Sequence, residues 1–191
     1  EFMPMRKAAF PRGSAMQLYR RAQYGDLLDV NFLDTRQYRT DQPCNDRFNT
    51  TCAGVNAAEA QGLGQAQEAW LLNNLDGSTA RWKALAQQIM VMDLNRNTSG
   101  GEGVNTDSWA GYRTPRNRLL RHVRDQRIDN VVVLTGDEHQ NFAGELHLNG
   151  REPEGRPIAT EFVSTSITSG GDGSDQRADA QRFLAANPQL K

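Results

Sequence analysis

The sequence predicts an α/β fold, a mixed β-sheet with flanking helices, on three observations. The β-branched run Val131-Val132-Val133-Leu134-Thr135 is long enough for a buried strand and too short for a helix. The stretch Thr114 to Arg127 reads as a basic amphipathic helix feeding that strand, a β-loop-α-β crossover. Further apolar runs at 26–34, 89–92 and 158–167 are strand candidates, with helical patterns interspersed.

The 191 residues suit one domain with a real core. Twenty-two basic side chains nearly balance 23 acidic ones, and no dense Lys/Arg run occurs. That excludes a general nucleic-acid or membrane-surface binder. No apolar stretch approaches a membrane span. The N-terminus lacks the apolar core of a signal peptide. Glu1-Phe2 reads as a remnant ahead of Met3, or as a cut through something longer.

Residues 1–24 read as irregular, with Pro4, Pro11 and Gly13 as breakers. The strand over Asp26–Asp34 exits into Asp34-Thr35-Arg36-Gln37-Tyr38-Arg39, whose arginines are read as scaffolding paired with Asp34 and Asp41 in preference to phosphate binding. A polar loop over 40–62 holds Cys44 and Cys52. Their nearness permits a local disulfide, which would imply an oxidising compartment; two free thiols are the alternative. Gln65–Leu75 reads as a helix. Ser78 would cap a second helix reaching about Gln87, with Trp82 and Leu85 inward. Ile89-Met90-Val91-Met92 reads as a buried strand whose methionines fill core.

A long loop follows over 93–111 and carries Asn105-Thr106-Asp107-Ser108-Trp109-Ala110-Gly111-Tyr112. Its amide, carboxylate and indole N–H suit a small polar ligand or, equally, a self-bonded surface turn. In the next helix Leu119, Leu120 and Val123 face in, Arg116, Arg118, Arg121 and Arg124 mostly form a solvated face, and His122 is exposed. Asn141–Leu148 reads as a half-buried strand, followed by a hairpin-like loop through Gly150, Pro153 and Gly155. The run Ser164–Gly173 is rich in hydroxyls and glycines, either an anion nest or a flexible connector. Ala178–Ala186 is a last helix, and nothing after it is expected to close the sheet. Walker, dinucleotide-binding and nucleophile-elbow motifs are absent.

The chemistry concentrates where the central strand ends, in Gly136-Asp137-Glu138-His139. Asp137 and His139 at i and i+2 share a side if the chain stays extended. A carboxylate oxygen and an imidazole nitrogen make a plausible half of a metal site, beyond the carboxyl end of a strand where ligands collect. The plainer reading is a turn-forming Asp beside a hydrogen-bonded His.

Four blocks together resemble the PhoD-like alkaline phosphatases: Asp34–Cys44, Asn105–Tyr112 with the arginine-rich helix behind it, Leu134–His139, and Thr160–Gly171. The resemblance implies a secreted, periplasmic or extracellular metal-dependent phosphoesterase with a calcineurin-like metallophosphoesterase sandwich. Members cleave phosphomonoesters and some phosphodiesters using calcium with a ferric ion. It implies that Asp137 and His139 occupy metal-site positions and carry the catalysis, and that Asn105, Asp107 and Trp109 line the approach of small phosphate esters. The family's upstream Gly-Asp-x-x-Tyr-like and Asp-Asp-His-Glu metal motifs have no counterpart here. Residues 1–191 are therefore read as one partial domain, truncated at both ends, whose missing N-terminal half is a partner for the site. The rivals are a non-catalytic remnant or binding module, and an unrelated single-metal or metal-free hydrolase.

Overall fold

The computed structural model describes residues 6–13, 16–150, 153, 155–172 and 177–191. Its frame is a six-stranded sheet in the order β1-β2-β4-β6-β8-β7. The strands are β1 (Arg20–Tyr24), β2 (Leu28–Phe32), β4 (Trp82–Gln87), β6 (Val131–Thr135), β7 (Phe142–Leu146) and β8 (Ala159–Val163). The inner four, β2, β4, β6 and β8, run parallel, and β1 and β7 are antiparallel edges. A separate ribbon pairs β3 (Phe48–Thr50) with β5 (Val104–Asn105). Helices α1 (Gln65–Asp76) and α2 (Arg113–Asp125) contribute Leu71, Leu75, Leu119, Leu120 and Val123 to a core shared with Leu85, Val131, Val133 and Val163 of the sheet. Helix α3 (Arg177–Ala186) sets Phe183 against Phe142 of β7, ring centroids 6.0 Å apart.

The predicted class holds, and several elements differ. The first residues are not all irregular, because β1 pairs with β2 through a tight turn at Gly25. The segment expected as a second helix is β4. Its alanines, leucine and lysine favour helix locally, yet two parallel neighbours take up its backbone groups, and tertiary pairing overrides propensity. Ser78 donates to Asp29 Oδ2 at 2.6 Å and caps no helix. Ile89–Met92 is buried as expected but is not a strand. The amides of Val91 and Met92 donate instead to the Glu161 carboxylate, at 2.8 and 2.7 Å.

Arg116, expected outside, is 1% exposed. It donates to the carbonyls of Val91 (2.6 Å), His147 (3.0 Å) and Leu148 (3.3 Å), so a buried guanidinium satisfies backbone that no ladder reaches. Arg118 pairs with Glu68 of α1, and His122, largely covered, lies 2.7 Å from Asp76. That face of α2 is partly an interhelical seam. At the far edge Lys191 N donates to Ala143 O and Glu145 N to Gln189 O, both at 2.9 Å, so the final residues do cover β7. Of the expected loop through Gly150, Pro153 and Gly155, residues 151, 152 and 154 lie outside the described set, as do Gly173 and residues 1–5.

Glu161 is fully buried, and burial pushes its carboxyl up to about 7 against the pull of Thr135 and the Val91 and Met92 amides. A folded value above the ordinary 4.5 means that the native chain holds a proton the unfolded chain has released. That share of stability is complete below about pH 4.5 and is lost as pH rises through about 7, at no more than about 1.4 kcal/mol per pH unit. Urea midpoints measured from pH 4.5 to 8 are expected to fall for the parent chain, with this component of the slope absent in Glu161→Gln.

Candidate functional site

All four parallel strands end on the same side of the sheet, and the chain leaving each bends over that side. After β2, Asp34 closes a turn by accepting the amides of Arg36 and Gln37, each at 3.0 Å. This is the role Asp34 has; it does not pair with the arginines as expected. Arg36 reaches Asp107 at 2.7 Å and Asp137 Oδ1 at 3.2 Å, while Arg39 binds the same Asp107 carboxylate at 2.6 Å and its carbonyl at 3.0 Å. Burial would raise the Asp107 carboxyl, but the hydrogen bonds from Arg36 and Arg39 outweigh it and hold the group below the ordinary carboxylate range. Asp107 is thus a committed anion joining the loop after β2 to the loop before α2.

Asn105 Oδ1 accepts the Asp107 amide at 3.0 Å, and Ser108 Oγ donates to Asn105 O at 2.7 Å. Gly111 seals this turn, since a Cβ there would stand 2.0 Å from Thr106 O. Trp109 is 2% exposed, and its indole N–H donates to Gln87 Oε1 at 3.2 Å. It faces the core and does not line the cleft, so of the three expected approach residues only Asn105 is on the cleft wall.

After β6 the backbone is not extended. Asp137 and His139 both take left-handed conformations, with φ of 73° and 50°. Such non-glycine geometry costs of order 1–3 kcal/mol and persists only where the surroundings determine it. Here they do. Asp137 is held by Arg36, Glu138 N donates to Gly136 O at 2.9 Å, and His139 O accepts the Asp172 amide at 3.1 Å. The Glu138 side chain, 7% exposed, is gripped by Arg96, with Asn105 Nδ2 at 3.4 Å. Arg96 itself lies within 5.6–5.9 Å of the Phe48, Phe142 and Phe183 ring centroids. The result is a cleft of about 1290 Å³ lined by Asn105, Arg96, Asp137, Glu138 and His139 among others. His139 Nδ1 is 3.5 Å from Asp172 Oδ2.

The loop over 40–62 is stapled by the Cys44–Cys52 disulfide, the first of the two alternatives the spacing left open. It buttresses the site through Gln42, which donates to Thr106 Oγ1 at 2.9 Å, and through Thr106, whose hydroxyl donates to Arg47 O at 2.8 Å. Sequence reasoning set Arg36 aside as scaffolding and missed Arg96 and Glu138 as site residues. Glu138 was visible inside the motif, but its partner is 42 positions away and no local pattern connects them.

The donor types fit a hard cation in part. Asp137 offers carboxylate oxygen and His139 ring nitrogen, but among the described residues no group of three or more His, Cys, Asp or Glu could hold an ion. Calcium takes six to eight oxygen ligands, so these two residues fall short of a shell.

Fold and cleft together define a mixed α/β domain with its polar site at the carboxyl ends of parallel strands. The family model described as PhoD-like phosphatase matches residues 1–191, and the chain belongs to that family. It is 44% identical over 191 residues to "Alkaline phosphatase D" of Bacillus subtilis (strain 168), covering 100% of this chain and 33% of that protein. A solved "Structure of PhoD" matches with a TM-score of 0.92 at 44% identity, covering 100% of this chain and 36% of that one. The chain spans about a third of the length of these relatives.

The Arg96–Glu138 pair is largely buried, so removing one partner strands a charge. Arg96→Met is expected to cost about 3–5 kcal/mol in urea unfolding, and adding Glu138→Gln should recover most of it.

Proposed function

We propose that the chain is part of a metal-dependent phosphoesterase that releases phosphate from small organic phosphate esters, and that its cleft is one wall of the active site. Membership of the PhoD-like phosphatase family supports the reaction class. The observation that carries the assignment of the wall is the turn after β6, where Asp137 and His139 are held in costly backbone conformations beside one open cleft. Asp137 and His139 are the metal-site and catalytic residues in this reading. The cations are calcium and a ferric ion, as the family resemblance implies, with most of their ligands supplied by polypeptide outside this chain.

Within the chain, Asp107 organises the approach by fixing Arg36 and Arg39. Asn105 presents its amide to the cleft beside Glu138. Trp109 sets that loop from behind. Asp172 beside His139 Nδ1 orients the ring, leaving Nε2 for a ligand or for a hydrogen bond to substrate oxygen. A secreted location agrees with the disulfide, which persists in oxidising compartments. Among the described residues no helix is long and apolar enough to cross a membrane. The shortage of metal donors among the described residues favours a second statement: this chain alone does not turn over substrate.

The test is hydrolysis of p-nitrophenyl phosphate with calcium and ferric iron supplied. The isolated chain is expected to show no turnover. A chimera carrying it in place of the matched third of alkaline phosphatase D is expected to be active, and Asp137→Asn or His139→Ala in the chimera should lower kcat/KM by about 100-fold or more. Robust turnover by the isolated chain would refute its incompleteness; an active chimera unaffected by both substitutions would refute the assignment of the wall.

A further inference from the structure

The cleft wall carries two chemistries. Asn105, Asp137, Glu138 and His139 form its polar part, and Phe48, Phe142 and Phe183 form an aromatic part beside it. Arg96 joins the two. Its guanidinium grips Glu138, the residue between Asp137 and His139, and lies 5.9, 5.6 and 5.9 Å from the Phe48, Phe142 and Phe183 ring centroids. The three rings therefore cluster around the group that holds the Asp137–His139 turn.

Phe142 and Phe183 are partly buried against the core, whereas Phe48 is 63% exposed. An exposed phenylalanine standing alone is ordinary. This one shares a cleft with two other rings and is fixed by its surroundings. It lies inside the loop closed by Cys44–Cys52, where Cys44, Asn45, Asp46 and Asn49 all take left-handed conformations, with φ of 61°, 54°, 58° and 54°. Across the β3–β5 ribbon it pairs with Asn105. Strained backbone of this kind clusters at ligand sites.

Charge decides which end of a phosphate ester the aromatic part receives. The Arg and Lys side chains of the lining are Arg96, Arg182 and Lys191, and they face Glu138, Asp179 and Glu145. Among the described residues, each cation on this part of the wall is thus already matched by an acid, and what the rings offer is apolar area. A polyol alcohol would lose its water against them without gaining hydrogen-bond partners, and an apolar one would not.

We propose that Phe48, backed by Phe142 and Phe183, is the subsite for the alcohol portion of the substrate, and that the preferred phosphate esters carry a flat apolar alcohol such as an aryl group. This rests on the reading of the cleft as an active-site wall, and it names the substrate class. An aryl ring packs on Phe48 offset or edge-to-face. Phe48 does not touch the reacting phosphorus, so it binds ground and transition states alike, and its loss raises KM while leaving kcat in place.

The alkaline phosphatase D chimera, with calcium and ferric iron supplied, tests this with 1-naphthyl phosphate against glycerol phosphate. Phe48→Ala is expected to lower kcat/KM for the naphthyl ester about tenfold, through KM, with little change for the glycerol ester. Phe48→Trp should keep the preference. Equal losses on both esters would make Phe48 a structural residue and overturn the inference. So would an unchanged ratio, which would mean that other polypeptide covers the ring. A second readout needs no turnover. Saturation transfer by NMR from the isolated chain to the ring protons of 1-naphthylphosphonate, whose P–C bond is not hydrolysed, should be strong and should fade in Phe48→Ala. Transfer that ignores the substitution would also overturn the inference. A chimera that hydrolyses neither ester, with the Phe48-dependent transfer intact, would remove the proposed reaction and retain the subsite.

Discussion

The structure depends most on one buried carboxylate. Glu161 accepts the amides of Val91 and Met92 and the hydroxyl of Thr135, the last at 2.6 Å. Thr135 also accepts from Gln87 Nε2 at 2.5 Å, while Gln87 Oε1 accepts the Trp109 indole and the Ile89 amide. One polar chain therefore runs from β8 through β6 and β4 to the loop before α2. Its members are buried, so each unmet group would cost the full desolvation penalty, about 1–3 kcal/mol. Thr135 is the residue before Gly136, and Trp109 follows the Asn105–Ser108 turn. The network thus fixes, from beneath, the two segments that bring Asp137 and Asn105 to the cleft.

The same network explains where sequence reading succeeded and failed. The β6 run and α2 were legible because periodicity and burial coincide there, as Val131, Val133, Leu119, Leu120 and Val123 show. Ile89–Met92 has the composition of a strand and the burial of one, yet its Val91 and Met92 amides are claimed by a side chain 69–70 positions away. Nothing local encodes that. The 78–87 segment failed for the opposite reason: its residues prefer helix by a few tenths of a kcal/mol each, and paired strands on both sides outweigh so weak a preference. Arg116 was read outward because amphipathic patterns assume that charge seeks water. Here the guanidinium instead meets carbonyls of the segment that follows β4 and of the chain beyond β7.

At the site, the motif Gly136–His139 was legible as chemistry but not as geometry. An extended chain was the reason to expect Asp137 and His139 on one side, and the structure brings both to the cleft through a left-handed turn instead. What makes that turn affordable is tertiary: Arg36 on Asp137, Arg96 on Glu138, and the Asp172 amide on His139. These contacts span from 33 to 101 positions and leave no trace in a window of sequence.

The placement of the network has a consequence for how the domain works. On the helix-covered side of the sheet Asn31, Gln87, Thr135 and Glu161 sit among Leu85, Val131, Val133 and Val163, so the network is sealed inside an apolar core while the cleft opens where the strands end.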